Sequence, residues 1–267
     1  MKNLEIYCVT NKSVNFLDDT NYKIAWVGQE KAPKNYLTCD SGDNIFFKEK
    51  NYSELTFHYW YWKNILDLNK ENWIGFCQKR RFWLKKNLEE TNINPLNIKN
   101  YLLDKVPNEW SSYESILCNP INVNNVKKIK LIKRGLKSIL KNPNIFFDIN
   151  KQTLLLHFDM HHGYGNMEKA IDHLNKNDKY EFFEYVNKST FYNPHIMFIS
   201  SPQIANRWFN DLFSWLFKCE QTFGFDNLIG YDTQRLYAFL AERYLSFWFK
   251  KYTKYLNWPW TFIETKN

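Results

Sequence analysis

Ser53 to Trp83 reads SELTFHYWYWKNILDLNKENWIGFCQKRRFW. Leu55, Tyr59, Trp62 and Leu66 recur there at spacings of four, three and four, the repeat of one buried helical face. Ser53 stands where an N-cap would, and Glu54 suits the positive end of the helix dipole. A turn follows at Asn69–Asn72. Trp73-Ile74-Gly75-Phe76-Cys77 then reads as a short strand with little polar content, as expected of a strand buried on both faces. It runs straight into Gln78-Lys79-Arg80-Arg81. In open α/β sheets, ligands bind beyond the carboxyl ends of the strands. Arginine suits bidentate contact with phosphate. These cations read either as the anion-binding end of a strand or as a solvated basic turn.

Upstream, Leu4–Thr10 reads as a first strand that ends in the polar loop Asn11-Lys12-Ser13. Tyr22–Val27 reads as a second strand closed by Gly28, and Thr38–Asn44 as a turn rich in acidic, amide and glycine residues. Strands alternating with helices point to a mostly parallel sheet. Downstream, Asn87–Asn100 looks like a polar insertion, and Ser115–Cys118 a short strand stopped by Pro120. Val126–Leu140 is a basic amphipathic helix. Its stripe of Val126, Ile129, Ile132, Leu136 and Leu140 is expected to face the core, the alternative being a membrane surface.

Leu154–Leu156 reads as a strand running into His157, Asp159, His161 and His162, then a Gly163-Tyr164-Gly165 turn. This pattern fits a metal site, a general base with an orienting partner, a substrate loop, or a polar loop with packed histidines. Helices are expected over Glu168–Leu174 and Tyr180–Val186, and a strand follows the polar turn at Asn193-Pro194-His195. Helices over Ala205–Glu220 and Thr233–Phe249 make the carboxyl-terminal part helical. Charged residues are seldom buried unpaired, so Glu242 is expected to pair with Arg235 or Arg243.

The 267 residues are 44 % hydrophobic and 19 % aromatic, enough for a large core and against a disordered chain. With Gly and Pro scarce at 8 each, a turn-rich all-β protein is not expected. The net charge of +8 suits an anionic partner. The scattered Cys8, Cys39, Cys77, Cys118 and Cys219 show no metal-ligand spacing, as expected of a reduced, intracellular protein. Met1–Thr10 carries charge rather than a signal-peptide run. Nucleic acid is not expected as a partner, because no such motif is present and the aromatics sit at core spacing.

These blocks resemble a bacterial polysaccharide glycosyltransferase family long catalogued only as a domain of unknown function, whose members typically occur in capsule and O-antigen gene clusters. The resemblance runs from Ile6 to about Trp260. Asp40, Gly42, Asp43 and Asn44 match its first block, and Glu54, Trp60, Trp62, Lys63 and Asn64 its second. Arg80 and Arg81 match the third, Asn193, Met197 and Phe198 the fourth, and Glu242 with Arg243 the last. The usual His-Tyr before the two arginines is Gln78-Lys79 here, so a positioning role replaces any acid–base duty at Gln78.

The resemblance implies a GT-A-like α/β fold in one domain. Residues 1–83 would be its nucleotide-sugar-binding half, and residues 84–267 its acceptor and catalytic half. It implies a transferase using a nucleotide-diphosphate sugar, UDP-linked and galactose-type by analogy. The acceptor would be a growing capsular or lipopolysaccharide glycan, free or lipid-linked, at the inner face of the cytoplasmic membrane. Thr10, Asp40, Asp43, Asn44, Glu54, Lys63, Gln78, Arg80 and Arg81 are the expected donor site. Asp159 is the expected base of an inverting reaction, with His161, His162 and Glu242 as rivals. Asn193, Arg235 and Arg243 are expected toward the acceptor. No Asp-x-Asp follows Trp73–Cys77, so Arg80 and Arg81 are expected to carry the charge a metal would supply, with Mg or Mn at Asp43 and Asn44 left open. The rival class is a nucleotide-sugar or sugar-phosphate binding module without turnover.

Overall fold

The computed structural model describes residues 3–86 and 92–264. The first residues of the expected polar insertion, 87–91, lie outside them. In chain order the sheet strands begin with β1 (Asn3–Thr10), β2 (Tyr22–Trp26) and β3 (Leu37–Thr38). After α1 (Glu49–Tyr52) and α2 (Leu55–Asn64) come β4 (Asn72–Gln78), β5 (Arg81–Trp83) and β6 (Ser115–Cys118). Next are β7 (Ile121–Asn122), α3 (Lys128–Lys141), α4 (Leu154–His162), α5 (Asn166–Ile171) and α6 (Lys176–Lys188). The chain continues through β8 (Phe191–Tyr192), β9 (Phe198–Ser200), α7 (Pro202–Phe223), α8 (Tyr231–Gln234) and α9 (Leu236–Tyr252). It closes with β10 (Tyr255–Trp258) and β11 (Trp260–Phe262).

Two compact units are formed. The first holds residues 1–119, 195–211 and 248–267, and the second 120–194 and 212–247. The expected donor half, residues 1–83, lies wholly in the first unit, whereas residues 84–267 are shared by both.

The first unit carries a mixed sheet in the order β10-β6-β9-β4-β1-β2-β3, with β5 and β11 paired beside β4. β4, β1, β2 and β3 are mutually parallel, and β9 is the antiparallel insert between β4 and β6. The predicted α/β fold, a central, mostly parallel sheet flanked by helices, is present. β4 is buried from Asn72 to Cys77, which explains its unbroken apolar run. On one face Phe57 and Tyr61 of α2 meet Tyr7 and Phe76, at ring separations of 4.8–6.5 Å. On the other, Trp73, Trp83, Trp110 and Trp258 belong to one buried cluster. Aromatic side chains bury ~150–250 Å² each, so this unit is held chiefly by ring packing.

Two details of α2 correct the sequence reading. The helix is buried continuously from Leu55 through Tyr61 rather than along one stripe, and it stops at Asn64, before Leu66. A helix apolar all round has no wet face for a periodic pattern to reveal. Ser53 is not its N-cap. Ser53 ends α1 at φ +52°, and Glu54 takes the position before α2.

In the second unit, the predicted strand Leu154–Leu156 is the first turn of α4. A three-residue apolar run cannot distinguish a buried strand from a buried helix. α4 hides Leu154, Leu156, Phe158, Met160 and His162, an alternation that mimics strand periodicity. The stripe of α3 is also corrected. Val126 is only partly buried, while Ile129, Ile132, Leu136 and Leu140 face solvent. The helix packs instead through Leu131, Gly135 and Ser138. Gly135 faces Met160 and Leu156 of α4, where an added Cβ would make ordinary contacts of 3.4–3.7 Å. Among the described residues no helix is long and apolar enough to cross a membrane.

One polar clamp ties the segment before β9 to α9. Ser246 Oγ accepts from Asn193 N at 2.6 Å and donates toward Asn193 O at 3.3 Å and Oδ1 at 3.2 Å, with both residues fully buried. Ser246→Ala leaves a buried backbone N–H without its acceptor. We expect a loss of about 1–3 kcal/mol, read as a lower urea midpoint at unchanged m-value. An unchanged midpoint would show that the clamp carries no stability.

Candidate functional site

The parallel registers bring the carboxyl ends of the strands to one edge. Thr10 lies opposite Trp26, Trp26 opposite Thr38, and Val9 opposite Gln78. Thr10 O accepts from Val27 N at 2.9 Å, and Thr10 Oγ1 accepts from Lys12 N at 3.0 Å, which shapes the loop after β1. β4 does not run out into solvent. It turns back through Lys79-Arg80 into β5, with Gln78 paired to Arg81. Lys79 fastens this hairpin to β1: its backbone N donates to Val9 O at 3.1 Å and its Nζ to Asn11 Oδ1.

Gln78 is the hub of the edge. Its Nε2 donates to the Glu54 carboxylate and, at 2.7 Å, to His195 O. Its Oε1 faces Arg81 Nη1 at 3.4 Å. One neutral amide thus ties together the start of α2, the turn before β9 and the cationic hairpin. That turn is strained, because His195 and Ile196 have φ of +71° and +52°. A β-branched residue rarely adopts this region, and such strain gathers at functional sites. The His195 ring lies 4.8 Å from Trp260, edge to face.

The two arginines are half-buried rather than free at the surface. Both guanidinium groups sit over Phe262, at 5.5 Å for Arg80 and 5.4 Å for Arg81. Ile263 N donates to Arg80 O at 2.8 Å, so β11 fixes the hairpin from outside. Arg80 Nε is buried with no hydrogen-bond partner among the described residues.

The Asp40–Asn44 loop follows β3 and is held by α2. Asn64 Oδ1 accepts from Asp43 N at 3.1 Å, and Asn64 Nδ2 donates to Asp43 O at 2.8 Å. Trp60 Nε1 donates to Ser41 O at 2.8 Å, and Tyr59 OH to Asp43 Oδ1 at 3.1 Å. Burial and this carboxylate together push the Tyr59 hydroxyl up to about 12. Gly42 has φ +61°, and a Cβ there would stand 2.2 Å from Asn64 Oδ1, so the loop tolerates only glycine. Lys63 Nζ lies 3.5 Å above the Trp62 ring. Asp40, Asp43 and Asn44 offer oxygens for a hard cation. Asn44, however, hydrogen-bonds within its own loop, and one Asp43 oxygen meets Tyr59. By themselves these residues do not make a metal cage, and among the described residues no cluster of three His, Cys, Asp or Glu side chains could hold one.

The remaining predicted residues lie in the second unit. Asp159 is on α4 rather than at a strand end. Its Oδ1 accepts from Gly165 N at 3.0 Å, and burial raises its carboxyl to about 6. It lines a cavity of about 480 Å³ with Ser138, Lys141, Tyr164 and Glu168. The two imidazoles make their hydrogen bonds elsewhere: His161 Nδ1 with His157 O, and His162 Nδ1 with Asp232 O, both at 2.8 Å. His162 also stacks on Phe239 at 3.8 Å. These are packed helical histidines.

Glu242 pairs with Arg243, and Arg235 lies over Tyr231 at 5.2 Å. Arg243 is 1 % exposed, 4.2 Å from the Tyr192 ring centre, with Nη2 3.2 Å from His157 Nδ1. Asn193 is also fully buried. His195 is the residue the sequence reading missed. Its signal was a histidine beside Pro194 immediately ahead of a strand.

The sequence pattern of the family described as "Domain of unknown function (DUF4422)" matches residues 5–254. The solved apo structure of the bifunctional glycosyltransferase WbbM resembles this chain with a TM-score of 0.62 at 20 % identity. The match covers 99 % of this chain and 46 % of that one, so the chain spans about half the length of that enzyme. The likeness is one of fold. The mannosyltransferase Ktr4p from S. cerevisiae aligns over 91 % of this chain and 62 % of its own at 10 % identity, but its TM-score of 0.27 carries no argument. Among curated proteins, no match was found.

Folding keeps three imidazoles neutral. Burial depresses His58 and His162 to about 3 and His157 to about 2, with nearby Arg243 adding to the shift for His157 and His162. Between pH 6.5 and 3 the native chain therefore binds fewer protons than the unfolded one. The stability these groups lend is complete above 6.5 and is lost as pH falls. Asp159, raised from 3.8 to about 6, acts in the opposite sense and offsets about one proton. We expect the urea midpoint to fall from pH 7.5 to pH 5, at about 1.4 kcal/mol per pH unit for each uncompensated proton. A flat midpoint over that range would contradict neutral burial of these histidines.

Proposed function

The chain belongs to the DUF4422 family, and from that premise we propose that it is a glycosyltransferase using a nucleotide-diphosphate sugar. The donor is UDP-linked and galactose-type, and the acceptor is a growing surface glycan, free or lipid-linked, met at the inner face of the cytoplasmic membrane. The fold shared with part of a glycosyltransferase supports the reaction class. The observation that carries the reading is the hairpin Gln78-Lys79-Arg80-Arg81 at the carboxyl edge of parallel strands, where ligands of such sheets bind.

Transfer needs charge stabilisation as the diphosphate leaves. Arg80 and Arg81 supply planar donor forks, oriented by Phe262 and by the Gln78 amide. Lys79, tied to Asn11, adds a point charge at the loop that would meet the nucleoside. Gln78 cannot titrate, so it orients Glu54 and Arg81 across the whole pH range. The ordered Asp40–Asn44 loop offers carboxylate and amide groups for the ribose or the sugar hydroxyls.

Two carboxylates are candidates to take the acceptor's proton. Glu54 is held by Gln78 in the first unit, and Asp159 titrates near 6 in the second, which suits a base at neutral pH. A single such base corresponds to inversion. Glu242 is engaged by Arg243 and is assigned a positioning role.

UDP-sugars should raise the melting temperature, because a ligand bound only by the native state stabilises it by mass action. Arg80→Ala and Arg81→Ala should each lower turnover about a hundredfold in a chain that stays folded, with the lysine variants intermediate. Asp159→Asn should abolish a pH–rate limb near 6 if that carboxylate is the base, whereas Glu54→Gln should abolish turnover if Glu54 is. Full activity in both arginine-to-alanine variants would refute the diphosphate role. A melting shift without turnover for any donor would identify a binding module instead.

A further inference from the structure

In a globular protein the apolar stripe of an amphipathic helix faces the core. α3 inverts that rule. Its packed side is the narrow seam of Leu131, Gly135 and Ser138. Ile129, Ile132, Leu136 and Leu140 are 70 %, 52 %, 52 % and 74 % exposed. At ~100° per residue these four positions fall within a sector of roughly 80°, centred about 140° around the helix from the seam. They form one continuous stripe along the helix.

The same helix carries Lys128, Lys130, Lys133, Arg134, Lys137 and Lys141, and neither Asp nor Glu. Arg134 reaches Asp232 at 3.1 Å, which brings the segment around α8 alongside. Its neighbours Ile229 and Tyr231 are also exposed, at 80 % and 68 %, as is Phe147 beyond the end of α3, at 81 %.

We infer that α3 is a membrane-interface element that lays its apolar stripe into an anionic lipid bilayer. A surface of this kind calls for a partner that accepts apolar side chains and cations together along one line. The acyl-headgroup boundary of an anionic membrane does both. The isoleucines and leucines enter it, while the lysine stems lie along it and hold their ammonium groups at the phosphates. Leu131, Gly135 and Ser138 take the packed side of the helix, and the long apolar side chains stay outside. The stripe residues Ile129, Ile132, Leu136 and Leu140 lie outside the proposed donor site and the Asp159 cavity.

The test is flotation with vesicles of phosphatidylcholine alone and of phosphatidylcholine with roughly one-third phosphatidylglycerol, at low and at high salt. The wild-type chain floats with the anionic vesicles at low salt, stays with the soluble fraction on neutral ones, and is weakened by salt. The pair Ile132→Glu with Leu136→Glu loses binding by about tenfold or more. The pair Lys133→Glu with Lys137→Glu loses both binding and its salt dependence. All four positions are exposed, and near-UV circular dichroism and the donor-induced melting shift should match wild type. No flotation at low salt overturns the inference, as does undiminished flotation of the Ile132/Leu136 variant. So does light scattering that shows a wild-type dimer converted to monomer by that variant, because the stripe would then be covered by a second copy.

Discussion

A single side-chain amide organises the edge of the sheet. Gln78 is the last residue of a strand buried along the rest of its length, and its amide is the first polar group the chain presents there. Its donors hold the Glu54 carboxylate and the His195 carbonyl, and its oxygen faces Arg81. Three segments distant in sequence therefore depend on one group with no charge to lose. A titratable residue in this place would make the arrangement vary with pH. Glutamine fixes it, and the strained His195-Ile196 turn shows that the surroundings are stiff enough to hold an unfavourable backbone.

Much of the fold was legible because the parallel strands are plain apolar runs bounded by polar loops. β1, β2 and β4 follow from Leu4–Thr10, Tyr22–Val27 and Trp73–Cys77 with end shifts of a few residues. The errors share one cause: periodicity reports which side is apolar, not which side is buried. α2 is wrapped on every side from Leu55 to Tyr61, so its periodic stripe marked no single face, and α4 buries side chains two apart on opposite sides of the helix, which reads like strand alternation. In α3 the periodicity was real but its direction was reversed, with Leu131, Gly135 and Ser138 buried and Ile129, Ile132, Leu136 and Leu140 exposed.

The site was legible as residue types and illegible as partnerships. Asp43, Glu54 and Gln78 were singled out one by one. That Asn64 cradles the Asp43 backbone and excludes a side chain at Gly42 is a long-range fact no local pattern carries. Arg243 and Asn193 look functional because they are polar residues in apolar blocks. Both are buried: Arg243 pairs through Nη1 with Glu242, and Asn193 is held by Ser246. His195 escaped notice because its contribution is a backbone carbonyl and a backbone conformation, which a side-chain motif does not encode.

The β4–β5 hairpin is the proposed seat of the donor diphosphate. A crystal structure of the chain with UDP bound tests it most directly. Diphosphate oxygens are expected within hydrogen-bond distance, about 3 Å, of the Arg80 and Arg81 guanidinium groups, with the Gln78 contacts to Glu54 and His195 intact. UDP bound elsewhere, with both arginines still resting on Phe262 and touching no phosphate, would contradict it.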